Sequence, residues 1–121
     1  MLLSIIIVNY NAKKVLIDCL NSVKNSFPAN KVEVFVIDNA SEESIAELID
    51  LFSCYHFIVN KVNLGFAAAN NIGISRSNGE FVLLLNPDTI VNKDSFQPMI
   101  TYLCNNPKVG IVGCKIFNNE G

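Results

Sequence analysis

Phe81-Val82-Leu83-Leu84-Leu85-Asn86-Pro87-Asp88-Thr89 runs consecutive apolar residues into a proline flanked by an amide and a carboxylate. A run of that length, bounded by Gly79 and Pro87, predicts a strand buried on both faces. Pro87 lacks a backbone N–H, so it ends the ladder and leaves Asn86 and Asp88 at the carboxyl edge of the sheet. Open α/β sheets bind ligands at that edge. A carboxylate there, beside an amide whose oxygen can coordinate, suits a hard divalent cation that also takes phosphate oxygens. A strand-ending turn with a solvated aspartate accounts for the same residues, and this stretch alone does not separate the two.

Upstream, Leu3 to Val8 is β-branched and apolar and breaks at Asn9-Tyr10-Asn11, which predicts a strand and its loop. From Ala12 to Lys24, the positions of Val15, Leu16, Cys19, Leu20 and Val23 mark one face of a helix that Phe27-Pro28 stops. Val32 to Ile37 reads as a second buried strand. It is followed by Asp38-Asn39-Ala40-Ser41, with Ser41 the expected N-cap of a helix whose first turn carries Glu42 and Glu43 and whose face is Ile45, Leu48, Ile49 and Phe52. His56 to Val59 predicts a short third strand, with His56 away from the polar edge. The segment Asn63 to Gly73 pairs a glycine turn with an alanine-rich helix able to lie close to a neighbouring backbone or ligand. Ser75 to Gly79 reads as a turn into the strand of Phe81. Beyond it, Phe96, Met99, Ile100 and Leu103 mark a fourth helix, which Asp94 is placed to cap, and Gly110 to Phe117 a fifth strand.

Strands alternating with helices predict an α/β fold: a mainly parallel sheet with right-handed crossovers and helices on both faces. In such a sheet the clusters Asn9-Tyr10-Asn11, Asp38-Asn39 and Asn86-Pro87-Asp88 all end strands at one edge and should share one cleft. At 121 residues and 50% hydrophobic, the chain is one domain's length with material for a core. A net charge of −2 with scattered Lys and Arg argues against a nucleic-acid partner. Cys19, Cys54, Cys104 and Cys114 form no C-x-x-C pair and read as small buried hydrophobes in a reducing cytosol. Met1 to Val8 is too short to span a bilayer and lacks signal-peptide features.

A dinucleotide fold would need G-x-G-x-x-G after the first strand, where this chain has Asn9-Tyr10-Asn11-Ala12. A P-loop is missing as well. A receiver domain would need acidic residues in that loop, and a nucleotidyltransferase a Gly-rich basic one. Instead, Ser4 to Asn11, Val36-Ile37-Asp38-Asn39-Ala40-Ser41, Asn63-x-Gly65-Phe66-Ala67-x-x-Asn70-x-Gly73 and Asn86-Pro87-Asp88-Thr89 appear in that order. Together they make the whole chain resemble the N-terminal, nucleotide-sugar-binding half of the inverting family-2 glycosyltransferases of GT-A fold. The Asn-Pro-Asp form with its Gly-Phe-Ala segment looks most like rhamnosyltransferase-type members that build cell-surface polysaccharides.

The resemblance implies a UDP- or dTDP-sugar donor, rhamnose being one candidate sugar, and a glycan or lipid-linked acceptor. It implies Mn2+ or Mg2+ as cofactor and a cytoplasmic protein, either free or peripheral at the inner membrane face. Asn9, Tyr10 and Asn11 would border the nucleoside, with Asp38 accepting from a uracil or thymine ring N–H beside Asn39. Asn70 would approach the ribose or phosphates, and Asp88 would hold the cation, with Asn86 where the first acid of D-x-D usually stands. Structural readings of the same residues are that Asp38 caps a helix, Asn70 lies on an exposed helix face and Tyr10 packs over the sheet end. The implied reaction transfers the sugar with inversion to an acceptor hydroxyl, and the alternative is a nucleotide-sugar binding module without catalysis. The family's catalytic base follows the metal strand at a distance that no carboxylate here matches. Residues 1–121 are therefore expected to be the front part of a longer protein, without the acceptor-binding half, catalytically inactive alone and prone to self-association through uncovered apolar surface.

Overall fold

A computed structural model describes residues 2–114 of the chain. The elements run β1 (Leu3–Asn9), α1 (Lys13–Ser26), β2 (Val32–Asp38), α2 (Ala46–Leu51), β3 (His56–Val59), α3 (Phe66–Arg76), β4 (Phe81–Leu85) and α4 (Gln97–Asn105). All strand pairs are parallel, in the order β3-β2-β1-β4. β1 lies in the middle and is buried along its whole length. Its alternate side chains feed two cores. Leu3, Ile5 and Ile7 join Val34 and Val36 of β2 under α1, α2 and Phe96, while Ile6 and Val8 join Phe35 and Ile37 beneath Ala69 of α3.

The apolar run at residues 81–85 is a strand, but it is buried on one face only. β4 pairs with β1 alone among the described residues. Phe81, Leu83 and Leu85 pack inward, whereas Val82 and Leu84 are 43% and 50% exposed. α3 covers β1 and β2 and stops short of β4, which leaves an open apolar groove of about 390 Å³ around the β4 edge. Of the expected fifth strand, Gly110 to Cys114 is irregular, and the remainder lies outside the described residues. Cys19 is buried, but Cys54, Cys104 and Cys114 are exposed, contrary to the expectation that all pack as core residues.

α1 buries Leu16, Cys19, Leu20 and Val23 as the spacing predicts, although Val15 faces solvent. The extended Phe27 ends the helix before Pro28. α2 begins only at Ala46, five residues after Ser41, and Ile49 turns outward. Ser41 is therefore not its N-cap, because its hydroxyl is spent on partners outside the helix. Similarly, Asp94 does not cap α4, whose N-cap is Phe96 without a side-chain bond. α3 extends through Ser75 to Arg76, so the turn into β4 is shorter than expected. At Gly73 an added Cβ would lie 2.6 Å from Ile6 Cγ2, so the close approach offered by the small-residue helix is used by β1.

At the amino edge, β1 and β2 meet the turn before β4 in a buried polar cluster. Ser4 Oγ donates to Glu33 Oε2 (2.5 Å), the Asn78 amide donates to the same oxygen (2.5 Å), and the Gly79 amide donates to Ser4 Oγ (2.8 Å). Burial drives the Glu33 carboxyl up, but the hydrogen bonds from Ser4 and Asn78, helped by His56, outweigh it and hold Glu33 below the usual range. A depressed carboxylate contributes stability that is complete above its unfolded pKa, about 4.3, and is lost as pH falls through the folded value. The urea midpoint should accordingly hold steady down to about pH 5 and fall below about pH 4. Glu33→Gln should cost about 1.5 kcal/mol at neutral pH and flatten that acid limb. An acid limb identical in wild type and variant would remove Glu33 as its source.

Candidate functional site

The β1–β2 register pairs Asn9 with Asp38 at the carboxyl edge. Both are buried, Asn9 completely and Asp38 to 3% exposure, and Asn9 Nδ2 donates to Asp38 Oδ1 at 2.9 Å. Asp38 Oδ1 also accepts from Ser41 Oγ (2.6 Å), and Oδ2 accepts from the Ser41 amide (3.2 Å). Among the described residues, Asn9 Oδ1 is buried without a hydrogen-bond partner. A buried, unsatisfied acceptor costs about 1–3 kcal/mol and is rarely tolerated away from a site with work to do.

The two loops that leave this pair are laced together. Asn11 occupies the left-handed region (φ 51°), its amide donates to Ser41 Oγ (2.8 Å), and its Oδ1 accepts from the Glu42 amide (2.8 Å). Lys13 at the start of α1 forms ion pairs with Glu43 (3.7 Å) and Glu47. Between these anchors Tyr10 projects outward, 49% exposed, so its ring does not pack down over the sheet end.

Asn39 is committed to the scaffold. Its backbone N–H donates to Asn9 O (2.8 Å), its Nδ2 donates to Gly65 O (3.1 Å), and its Oδ1 accepts from the Leu64 amide (2.9 Å) and Asn60 Nδ2 (3.2 Å). It thus ties the end of β2 to the loop that starts α3, where Gly65 adopts φ +84°. Asn70 is 4% exposed on the sheet-facing side of α3 and donates to Phe66 O (3.2 Å), so the exposed-face reading of this residue fails.

On the other side of β1, residues 86–89 form a turn in which Asn86 O accepts from the Thr89 amide (3.3 Å) and hydroxyl (2.7 Å). Cys19 of α1 lies beneath it, its sulfur 3.8 Å from Asn86 O and 3.9 Å from Thr89 Oγ1. Burial pushes the Cys19 thiol up, so this residue is a packing group rather than a nucleophile. Asn86 and Asp88 are exposed at the tip. Among the described residues no three His, Cys, Asp or Glu side chains gather as a cation cage. One carboxylate and one amide suit a Mg2+- or Mn2+-like ion only where phosphate and water complete its shell, the usual arrangement for Mg2+ with nucleotides.

The parallel sheet therefore brings Asn9, Asn11 and Asp38 into one bonded group, with Tyr10 and Asn39 held beside it. Asn70 lies on α3 against the opposite face of the sheet, and Asn86 and Asp88 follow the neighbouring strand at the same edge. Ser41 is the member that sequence reasoning misplaced. The available signal was its position three residues after Asp38, the spacing at which an aspartate can bond a downstream amide in a turn.

Residues 4–121 match the family model described as Glycosyl transferase family 2. The chain is 34% identical over 113 residues to poly-beta-1,6-N-acetyl-D-glucosamine synthase of Staphylococcus epidermidis, covering 91% of this chain and 27% of that relative. It is 35% identical over 109 residues to abequosyltransferase RfbV of Salmonella typhimurium, covering 85% of this chain and 33% of that one. The crystal structure of S. aureus TarS 1-349 superimposes with a TM-score of 0.79 at 22% identity, covering 98% of this chain and 39% of that segment. The same TarS segment in complex with UDP-GlcNAc gives a TM-score of 0.76 at 23% identity, with 98% and 37% covered. The chain thus spans about a quarter to a third of the length of the first two relatives.

Proposed function

The chain belongs to glycosyl transferase family 2, and from that premise we propose that it forms the donor side of an inverting glycosyltransferase that takes a sugar from UDP or dTDP. The observation that carries this reading is the buried Asn9–Asp38 pair at the carboxyl edge, beside the Asn86–Thr89 turn. TarS has been crystallised with UDP and with UDP-GlcNAc, which supports a uridine nucleotide here. Asp38 accepts the ring N–H of the base, Tyr10 offers its exposed ring to the nucleoside, and Asn70 and Asp88 serve the ribose and diphosphate side. The acceptor is a cell-surface polysaccharide or glycolipid, and rhamnose remains one donor sugar to test. Among the described residues, no helix is long and apolar enough to cross a membrane.

Asp88, with the Asn86 amide oxygen, would hold a Mg2+ or Mn2+ ion brought with the diphosphate. When bound, that ion neutralises charge developing on the leaving group. Asn86 carries no charge, so the protein contributes a single carboxylate and depends on the nucleotide for the remaining ligands. A separate carboxylate must take the acceptor's proton. Neither Asp38 nor Asp88 is available for it, since the first is committed to the base and the second to the cation.

Calorimetric titration with UDP, dTDP and uridine, with and without Mn2+, tests the assignment. We expect Asp88→Asn to lower UDP affinity in Mn2+ by about tenfold, the worth of one charge-assisted contact, and to leave uridine binding unchanged. Equal losses for UDP and uridine would place Asp88 in the scaffold instead, and no binding of either nucleotide to wild type would overturn the reading.

A further inference from the structure

Ser41 stands at the centre of the Asp38 cluster, and the direction of its hydroxyl proton follows from its neighbours. A serine hydroxyl has one hydrogen to donate and two lone pairs. The Asn11 amide (2.8 Å) and Asn9 Nδ2 (3.4 Å) can only donate to it, which leaves its own hydrogen to Asp38 Oδ1 at 2.6 Å. Asn9 Nδ2 donates to the same Asp38 oxygen at 2.9 Å, so Oδ1 is fully subscribed. Asp38 Oδ2 receives only the Ser41 amide, at 3.2 Å, and keeps a spare lone pair. Ala40, immediately before Ser41, holds φ 64°, a conformation that costs a residue with a Cβ about 1–2 kcal/mol and that turns Ser41 back toward Asp38.

We infer that Ser41 is a positioning residue that locks Asp38 with one spare acceptor position on Oδ2 and thereby sets the preference for a base carrying a ring N–H. The inference rests on the nucleotide reading above and adds to it the residue that makes Asp38 selective. Uracil and thymine present a donor at N3, whereas cytosine presents an acceptor there. A carboxylate fixed with its Oδ1 satisfied internally and one free lone pair on Oδ2 rewards the first and not the second. Without the Ser41 hydroxyl, Asp38 loses its shortest internal bond and Asn11 loses the acceptor for its amide. The carboxylate is then free to turn away.

The experiment is calorimetry of the 121-residue chain and its Ser41→Ala and Ser41→Thr variants with UDP and CDP, alongside thermal melts. In Ser41→Ala the UDP affinity should fall about tenfold, in line with loss of a hydrogen bond to a charged group, and CDP affinity should stay where it was. Ser41→Thr, which keeps the hydroxyl, should restore most of the UDP preference. Equal losses for UDP and CDP, or a Ser41→Thr variant no better than Ser41→Ala at equal melting temperature, would overturn the positioning role and leave the nucleotide reading standing. A wild-type protein that binds UDP no better than CDP, with Asp38→Ala unchanged from it, would overturn both.

Discussion

Asp38→Ala should lose UDP binding and stability together, because the carboxylate is both the acceptor offered to the base and the hub of an internal network. Its removal strips the buried Asn9 Nδ2 of its best acceptor and leaves the Ser41 hydroxyl and amide without theirs. A buried donor without a partner costs about 1–3 kcal/mol, so unfolding free energy should drop by about 2 kcal/mol. Nucleotide affinity should fall by a further 1.5–3 kcal/mol, roughly ten- to a hundredfold, for uridine and UDP alike, since the contact is with the base. Asp38→Asn separates the two effects: an amide of the same shape keeps one acceptor for Asn9 or Ser41 but no longer offers a charge. It should be the more stable variant and still bind poorly. Denaturant melts and calorimetry on the same preparations check this. Unchanged UDP affinity in Asp38→Ala, in protein shown to be folded, would take the base away from this residue.

The different reach of the sequence at β1 and at β4 has a physical cause. Leu3 to Val8 reads as a buried strand and is one, because β-branched residues on both faces are needed only in a strand covered twice. The same inference fails for Val82 and Leu84, since an apolar side chain on an uncovered face carries no local mark of its exposure. Which strand is central depends on which others pair with it, and that is a property of the assembled sheet. The convergence of Asn9 and Asp38 was legible because parallel strands place their carboxyl ends on one edge whatever the details of the crossovers. The role of Ser41 was not, because it depends on Asn11 and Ala40 adopting positive φ, which few non-glycine residues do and which a helix starting at Ser-Glu-Glu does not call for. Asn39 shows the same limit. Its place beside Asp38 reads as a ligand position, and only the path of residues 60–65 reveals a side chain occupied by backbone.

Gly79→Ala is expected to be the most destabilising alanine substitution among the described glycines. A Cβ at that position would stand 2.5 Å from Ser4 Oγ, 2.6 Å from the Ser4 backbone nitrogen and 2.8 Å from Phe81 O. Two of these are main-chain atoms of the paired strands β1 and β4, which cannot turn aside as a side chain does. Relief requires the turn to lift away from β1, and that pulls the Gly79 amide off Ser4 Oγ and the Asn78 amide off the buried Glu33 carboxylate. Overpacking alone costs about 1–3 kcal/mol, and with the cluster disturbed we expect about 3 kcal/mol, a fall in melting temperature of about 12 °C. Two other glycines calibrate the effect. Gly65→Ala meets nothing within 4 Å and carries only the strain of φ +84°, so it should cost about 1–2 kcal/mol. Gly73→Ala meets Cγ2 and Cδ1 of the fully buried Ile6 at 2.6 and 2.9 Å, side-chain atoms that shift only by repacking the core beneath α3, and should cost about 1–3 kcal/mol. The acid limb of stability should shrink in Gly79→Ala and stay intact in Gly65→Ala, because only the former loosens the partners of Glu33. A Gly79→Ala protein that melts with or above Gly65→Ala would show that the amino-edge cluster yields easily and that β1 and β4 are not held together through it.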